Sequence, residues 1–109
     1  MSDWRDQPEF DSSVVRTLID AVGADAFAPM RKQFVTDLKT LGQSCQEALS
    51  RGDVEEMKST AHALKGAAAN IGLARLSAVA KHLEKGEVEV GPELVGVLDR
   101  SIECLEASF

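Results

Sequence analysis

Between its glycines the chain repeats apolar residues at steps of three and four, the spacing of a helix face turned toward partners rather than the alternation of a strand. Val14, Val15, Leu18 and Ile19 form the first such group. Asp11, with Ser12 and Ser13 beside it, is a good N-cap and Gly23 a stop, which predicts a short helix over about 11–22, a lid or brace rather than a full bundle member. A longer helix is predicted over about 25–50, with Phe27, Phe34, Leu38, Leu41, Cys45 and Ala48 as its inward stripe. Pro29 is expected in its first turn, where a missing N–H has no partner to lose.

Arg51-Gly52-Asp53 ends that helix and caps the next, predicted over about 54–70, with Val54, Met57, Ala61, Leu64, Ala68 and Ile71 along its seam. Ile71-Gly72 is the turn into a fourth helix, about 73–85, with Leu73, Leu76, Val79 or Ala80, and Leu83 inward and a break at Gly86. Glu87-Val88-Glu89-Val90 alternates, but a single strand would have no partner, so it reads as a loop. The last helix, about 92–107, starts on Pro92 and buries Leu94, Leu98, Ile102 and Leu105. Four substantial helices joined by short turns predict an all-α fold, an antiparallel up-down four-helix bundle with a short extra N-terminal helix, and residues 1–109 form one expected domain.

A length of 109 residues leaves no room for a nucleotide-binding domain beside a substrate domain. The net charge of −6 argues against a nucleic-acid binder, which needs excess Lys and Arg, and makes a protein partner the better expectation. No apolar run is long enough for a membrane span, and the opening MSDWRDQPEF lacks the basic-then-apolar pattern of a secretory signal, so a cytoplasmic location is expected. Cys45 and Cys104 have no CxxC or His partner spacing and fall on apolar stripes, which reads as two buried free thiols.

His62 follows the seam residue Ala61 and so lies off the core stripe, at least partly exposed. Lys58 and Ser59 lie one turn before it, Lys65 and Gly66 one turn after, and Ala69 two turns on. Two cations near an imidazole disfavour its charged form and attract an anion, both useful if the ring is to attack a phosphoryl group. Gly66 costs a mid-helix position about 1 kcal/mol relative to Ala, which suggests that something approaches the backbone there. Spacing alone leaves two readings open: this nucleophile, or an ordinary surface histidine beside a solvated face. His82 has no small-residue patch and reads as a surface residue, and no ligand cluster points to a metal site. Pairing across the Ile71-Gly72 turn puts Lys81 and Glu84 at about the level of His62.

The run Ala61-His62-Ala63-Leu64-Lys65-Gly66-Ala67-Ala68-Ala69-Asn70-Ile71-Gly72 closely resembles the signature of histidine-containing phosphotransfer (HPt) domains, with Leu76 and Leu83-Glu84 where that family repeats Leu and Leu-Glu. The resemblance is strong over about 60–84 and weak over nearly all the rest. It implies a phosphorelay intermediate in which His62 accepts a phosphoryl group from the phospho-aspartate of one receiver domain and returns it to the aspartate of another. Lys65 would support the phosphoryl group and Gly66 leave room for the partner. The implied partners are response-regulator receiver domains and a hybrid histidine kinase, docking over Lys58, Ser59, His62, Lys65, Gly66, Ala69 and Asn70 with Lys81 or Glu84 beside them. No cofactor of its own is implied, since Mg²⁺ belongs to the receiver, and the chain length with four helices favours a monomer.

No Gly-rich phosphate loop or Walker-type motif is present, so autokinase activity is not expected and the module would be a carrier rather than an enzyme. The dimerisation helices of histidine kinases are a rival reading, but there an acidic residue typically follows the His, where this chain has Ala63. A second rival is a helical adaptor that binds receivers or kinases without being phosphorylated.

Overall fold

The computed structural model describes residues 3–108, and among them every regular element is helical. The five α-helices are α1 (Ser12–Val22), α2 (Ala24–Arg51), α3 (Val54–Asn70), α4 (Ala74–Glu84) and α5 (Gly91–Ala107). Single 3-10 turns at Trp4–Asp6 and Val88–Val90 precede α1 and α5. The second of these occupies the segment expected to be a loop.

Capping sets the helix starts and stops. The Asp11 carboxylate accepts from the Ser13 N–H at 3.1 Å to open α1, and that of Asp53 accepts from Glu56 at the same distance to open α3. Glu55 and Glu56 in the first turn of α3 suit its positive end. Gly52 closes α2 in the left-handed region, φ +70°, its N–H reaching the Ala48 and Leu49 carbonyls. Pro29 lies inside α2 rather than in its first turn. The helix starts early because the Phe27 N–H already bonds the Gly23 carbonyl at 3.0 Å, so the proline forfeits one interior hydrogen bond.

Helix α2 packs on α3, α3 on α4, α4 on α5 and α5 back on α2, with α1 laid against α2. Leu38, Met57, Leu64, Leu76, Leu83, Leu94 and Leu105 are fully buried in the shared core, as are both Val79 and Ala80. In α2 the inward face differs from the expected stripe. Val35 and Gly42 are buried and Phe34 and Leu41 only half-buried, because a helix of 28 residues drifts against a strict heptad and here packs against both α3 and α5. Gly42 suits that packing, for a Cβ there would meet the Leu98 side chain of α5 and oblige it to shift. Val54, expected on the α3 seam, is 42% exposed, since it stands at the first residue of the helix where no neighbour covers it.

Two long-range ties complete the frame. The Asp11 N–H bonds the Gly72 carbonyl at 2.7 Å, fastening the start of α1 to the α3–α4 turn. Gly72 has φ +81°, and a Cβ on it would lie 2.5 Å from the Asp11 carbonyl oxygen, so both backbone shape and space demand glycine. Arg75 of α4 clamps the N-terminal segment: its N–H bonds the Pro8 carbonyl and its guanidinium bonds the Gln7 carbonyl, each at 2.9 Å, and reaches Glu9 at 3.0 Å. Trp4 is thereby held buried against α4.

Cys45 is buried, and burial pushes its thiol above its ordinary value. Cys104, expected to be buried, is only partly so: it faces the N-terminal segment at the edge of α5, its Sγ 4.0 Å from Glu9. Burial, and after it the Glu9 and Glu103 charges, raise this thiol too. Among the described residues no helix is long and apolar enough to cross a membrane.

Candidate functional site

Helix α3 has two faces. Met57, Ala61, Leu64 and Ala68 point into the core, while Ser59, His62, Gly66, Ala69 and Asn70 are exposed along the other side. This is the three-and-four stepping of one helix read twice, offset by a residue or two. The exposed stripe carries one ring, His62, among small side chains, so a broad surface can come down on it without displacing bulk. The ring itself is 70% exposed.

Gly66 sits one turn beyond the histidine. A Cβ added there would meet nothing within 4 Å, in contrast to Gly42 and Gly72. No packing demand inside the chain accounts for the glycine.

Across the turn, α4 presents Glu84. One carboxylate oxygen lies 2.5 Å from His62 Nδ1 and the other 2.6 Å from Lys65 Nζ, so a single side chain bridges both. The hydrogen bond from Lys65, and after it that from His62, holds the Glu84 carboxyl below its ordinary value of 4.5. An ionised carboxylate only accepts hydrogen bonds, so Nδ1 carries the hydrogen. In the neutral ring the lone pair is therefore on Nε2. The register of the pair is helped by Ser77, whose hydroxyl donates to the Lys65 carbonyl at 3.1 Å and ties α4 to α3.

The cations stand differently from the expectation of two ammoniums around the imidazole. The charge against the ring is a carboxylate, because Lys65 turns to the same Glu84. Lys58 runs its stem toward the α4 end, where its Cε would be 3.1 Å from a Cβ on Gly86. Of the two α4 side chains expected near His62, Glu84 makes the contact, whereas Lys81 is exposed and lines a groove with Ala69 farther along. The sequence put Glu84 at the right height, but the bridge depends on the rotation of α4 about its axis. The sole sequence signal for the Ser77 tie is a hydroxyl one turn into a helix that follows a tight turn.

Among the described residues, no group of three or more His, Cys, Asp and Glu side chains is placed to hold a metal ion. The arrangement can present one nucleophilic nitrogen, oriented from behind, with an ammonium one turn away.

Comparison with known proteins bears on the family and the fold. The family model described as the Hpt domain matches residues 29–108. Among solved structures, the histidine-containing phosphotransfer protein B (HptB) of Pseudomonas aeruginosa PAO1 superposes with a TM-score of 0.76 at 28% sequence identity, over 90% of this chain and 88% of that one. No curated protein matches the chain significantly.

Proposed function

This chain belongs to the Hpt domain family, whose members are phosphotransfer carriers of two-component signalling, and we propose that it accepts a phosphoryl group on His62 from the phospho-aspartate of one receiver domain and passes it to the aspartate of another. The observation that carries the reading is the Glu84 carboxylate 2.5 Å from Nδ1, which orients the ring and leaves Nε2 as its free nitrogen, on an exposed helix face of small residues.

In the proposed step Nε2 attacks phosphorus, the bond from phosphorus to the aspartyl oxygen breaks, and the aspartate leaves as carboxylate. The ring gains positive charge, which Glu84 offsets across the Nδ1 hydrogen bond. Lys65 can swing from Glu84 to the phosphoryl oxygens at that moment. Phosphoryl transfer depends mainly on positioning and charge stabilisation, so a carrier can leave the rest, including Mg²⁺, to the receiver's site. No autokinase activity is expected of it.

Gly66 and Ser59, with Ala69 and Asn70, form the proposed landing strip, and Lys58 and Lys81 its charged rim. In the same reading residues 1–109 act as one cytoplasmic, monomeric domain, with α2 to α5 an antiparallel up-down bundle; the closed ring of helix contacts supports that topology. The source of the phosphoryl group would be the receiver of a hybrid histidine kinase.

The test is to incubate the protein with a phosphorylated receiver and Mg²⁺ and compare wild type with His62→Gln for acid-labile, base-stable phosphate. Label on the wild type alone is the expected result. Binding without label, from any of several receivers, would make the protein an adaptor instead.

A further inference from the structure

The exposed histidine and its two followers at fixed spacing, His62-Ala63-Leu64-Lys65-Gly66, have a counterpart later in the chain in His82-Leu83-Glu84-Lys85-Gly86. The likeness extends to geometry. His82 Nδ1 is hydrogen-bonded to the Glu87 carboxylate, as His62 Nδ1 is to Glu84. By the same argument from an acceptor-only carboxylate, Nδ1 of His82 carries the hydrogen and, in the neutral ring, Nε2 keeps its lone pair.

The surroundings differ in a way that selects the reactant. The His82 side chain is 31% exposed, less than half the exposure of His62. It lines a groove of about 650 Å³ between α4 and the N-terminal segment. Lys81 of α4 and Lys85, just past its end, line the groove with His82, and Trp4 and Ala78 supply apolar wall, while Asp3 and Asp11 line the part contributed by the N-terminal segment. A receiver presents its phospho-aspartate within a broad protein surface, which needs an open, flush face; a recess of this size admits a small molecule.

We propose that His82 is a second phosphoryl acceptor, loaded by a small acyl phosphate that enters the groove. Nε2 attacks phosphorus, the bond from phosphorus to the acyl oxygen breaks, and the carboxylate leaves with the electron pair. The Nδ1 proton stays on the ring and faces Glu87, which offsets the new positive charge. Lys81 and Lys85 face the incoming phosphoryl oxygens. The inference rests on the reading of His62 as an acceptor, since the shared arrangement is what gives His82 its chemistry.

The experiment exposes full-length wild type, His62→Gln, His82→Gln and the double variant to acetyl phosphate with Mg²⁺, and in parallel to a phosphorylated receiver. Phosphohistidine is mapped by mass spectrometry, and its nitrogen isomer by ³¹P NMR. Acetyl phosphate is expected to label His62→Gln at Nε2 of His82 and to leave the double variant bare, while the receiver labels His62 alone. An unlabelled His82 in His62→Gln, in a preparation whose wild type is labelled at His62 by the receiver, overturns the second site and spares the first. A bare His62 with a labelled His82 does the reverse. Label on His82 from the receiver but not from acetyl phosphate overturns the assignment of the donor. Glu87→Ala should slow labelling of His82 about tenfold with an unchanged helical spectrum; an unchanged rate would remove the geometric basis of the proposal.

Discussion

Gly66→Ala should make the protein more stable and a worse phosphoryl carrier at once. Glycine in a helix interior is about 0.8–1.0 kcal/mol less favourable than alanine, and a new methyl at position 66 meets no atom within 4 Å, so no clash offsets the gain. A gain of about 0.5–1 kcal/mol follows, which for a domain of this size raises the melting temperature by about 2–5 °C. The same methyl stands on the proposed receiver face, and holding the partner off by about 1 Å would cost transfer on the order of 10- to 100-fold. Gly66→Arg should close the face altogether while keeping the helical spectrum. Gly96 supplies the control: it is likewise interior to a helix, α5, with nothing within 4 Å of an added Cβ, and α5 lies against α2 and α4. Gly96→Ala should match the stabilisation of Gly66→Ala and leave transfer untouched. Thermal melts and rapid-quench transfer from a phosphorylated receiver read the two quantities separately. Unimpaired transfer in Gly66→Ala would refute the reasoning that this glycine serves a partner, and a lowered melting temperature would refute the open space around it.

Glu84→Gln should slow transfer about tenfold while the fold persists, because Nδ1 and Lys65 lose their shared anion; parallel kinetics on wild type and variant check it, and equal rates would relieve Glu84 of any positioning role. The lowered Glu84 carboxyl contributes its bridge fully above its unfolded value near 4.5 and loses it as pH falls through the lower folded value, so NMR should find the bridge intact where ordinary carboxylates already protonate. A Glu84 resonance titrating at or above 4.5 would contradict this. Arg75→Ala should loosen the N-terminal segment, costing about 1–3 kcal/mol. Because Trp4 is the chain's single tryptophan, its fluorescence reports the change as a red shift, and an unshifted spectrum would mean that other contacts hold the segment.

Much of the fold was legible because its signals are local. Asp11, Gly23, Gly52 and Asp53 punctuate the chain where they stand in sequence, and the α3 seam from Met57 to Ala68 follows from spacing alone. What was not legible depends on how elements meet. Val35 and Gly42 replace Phe34 and Leu41 inside because α2 is shared between two neighbours, and that sharing appears only once α5 brings Leu98 to Gly42. Arg75 and the N-terminal segment are joined across more than sixty residues, in large part by backbone carbonyls that no side-chain pattern announces. In the site, His62, Lys65 and Gly66 are set by one helix and could be read from it. The Glu84 bridge and the Ser77 tie belong to the relation between two helices, of which sequence supplies the height but not the rotation.

The His62, Lys65 and Glu84 cluster is made entirely by two consecutive helices and the turn between them, with 22 residues from the ring to its carboxylate. A loop so short is inexpensive to close, so the cluster can assemble as soon as α3 and α4 dock, ahead of any contact that needs the chain ends. The α3–α4 hairpin is in this sense a cassette: the other helices must bury its apolar side, but none contributes an atom to the bridge. Substitutions in α1, α2 or α5 therefore reach the chemistry through the firmness of the hairpin's support, and a graft of this hairpin onto a different bundle that covers the same apolar side should carry the bridge with it.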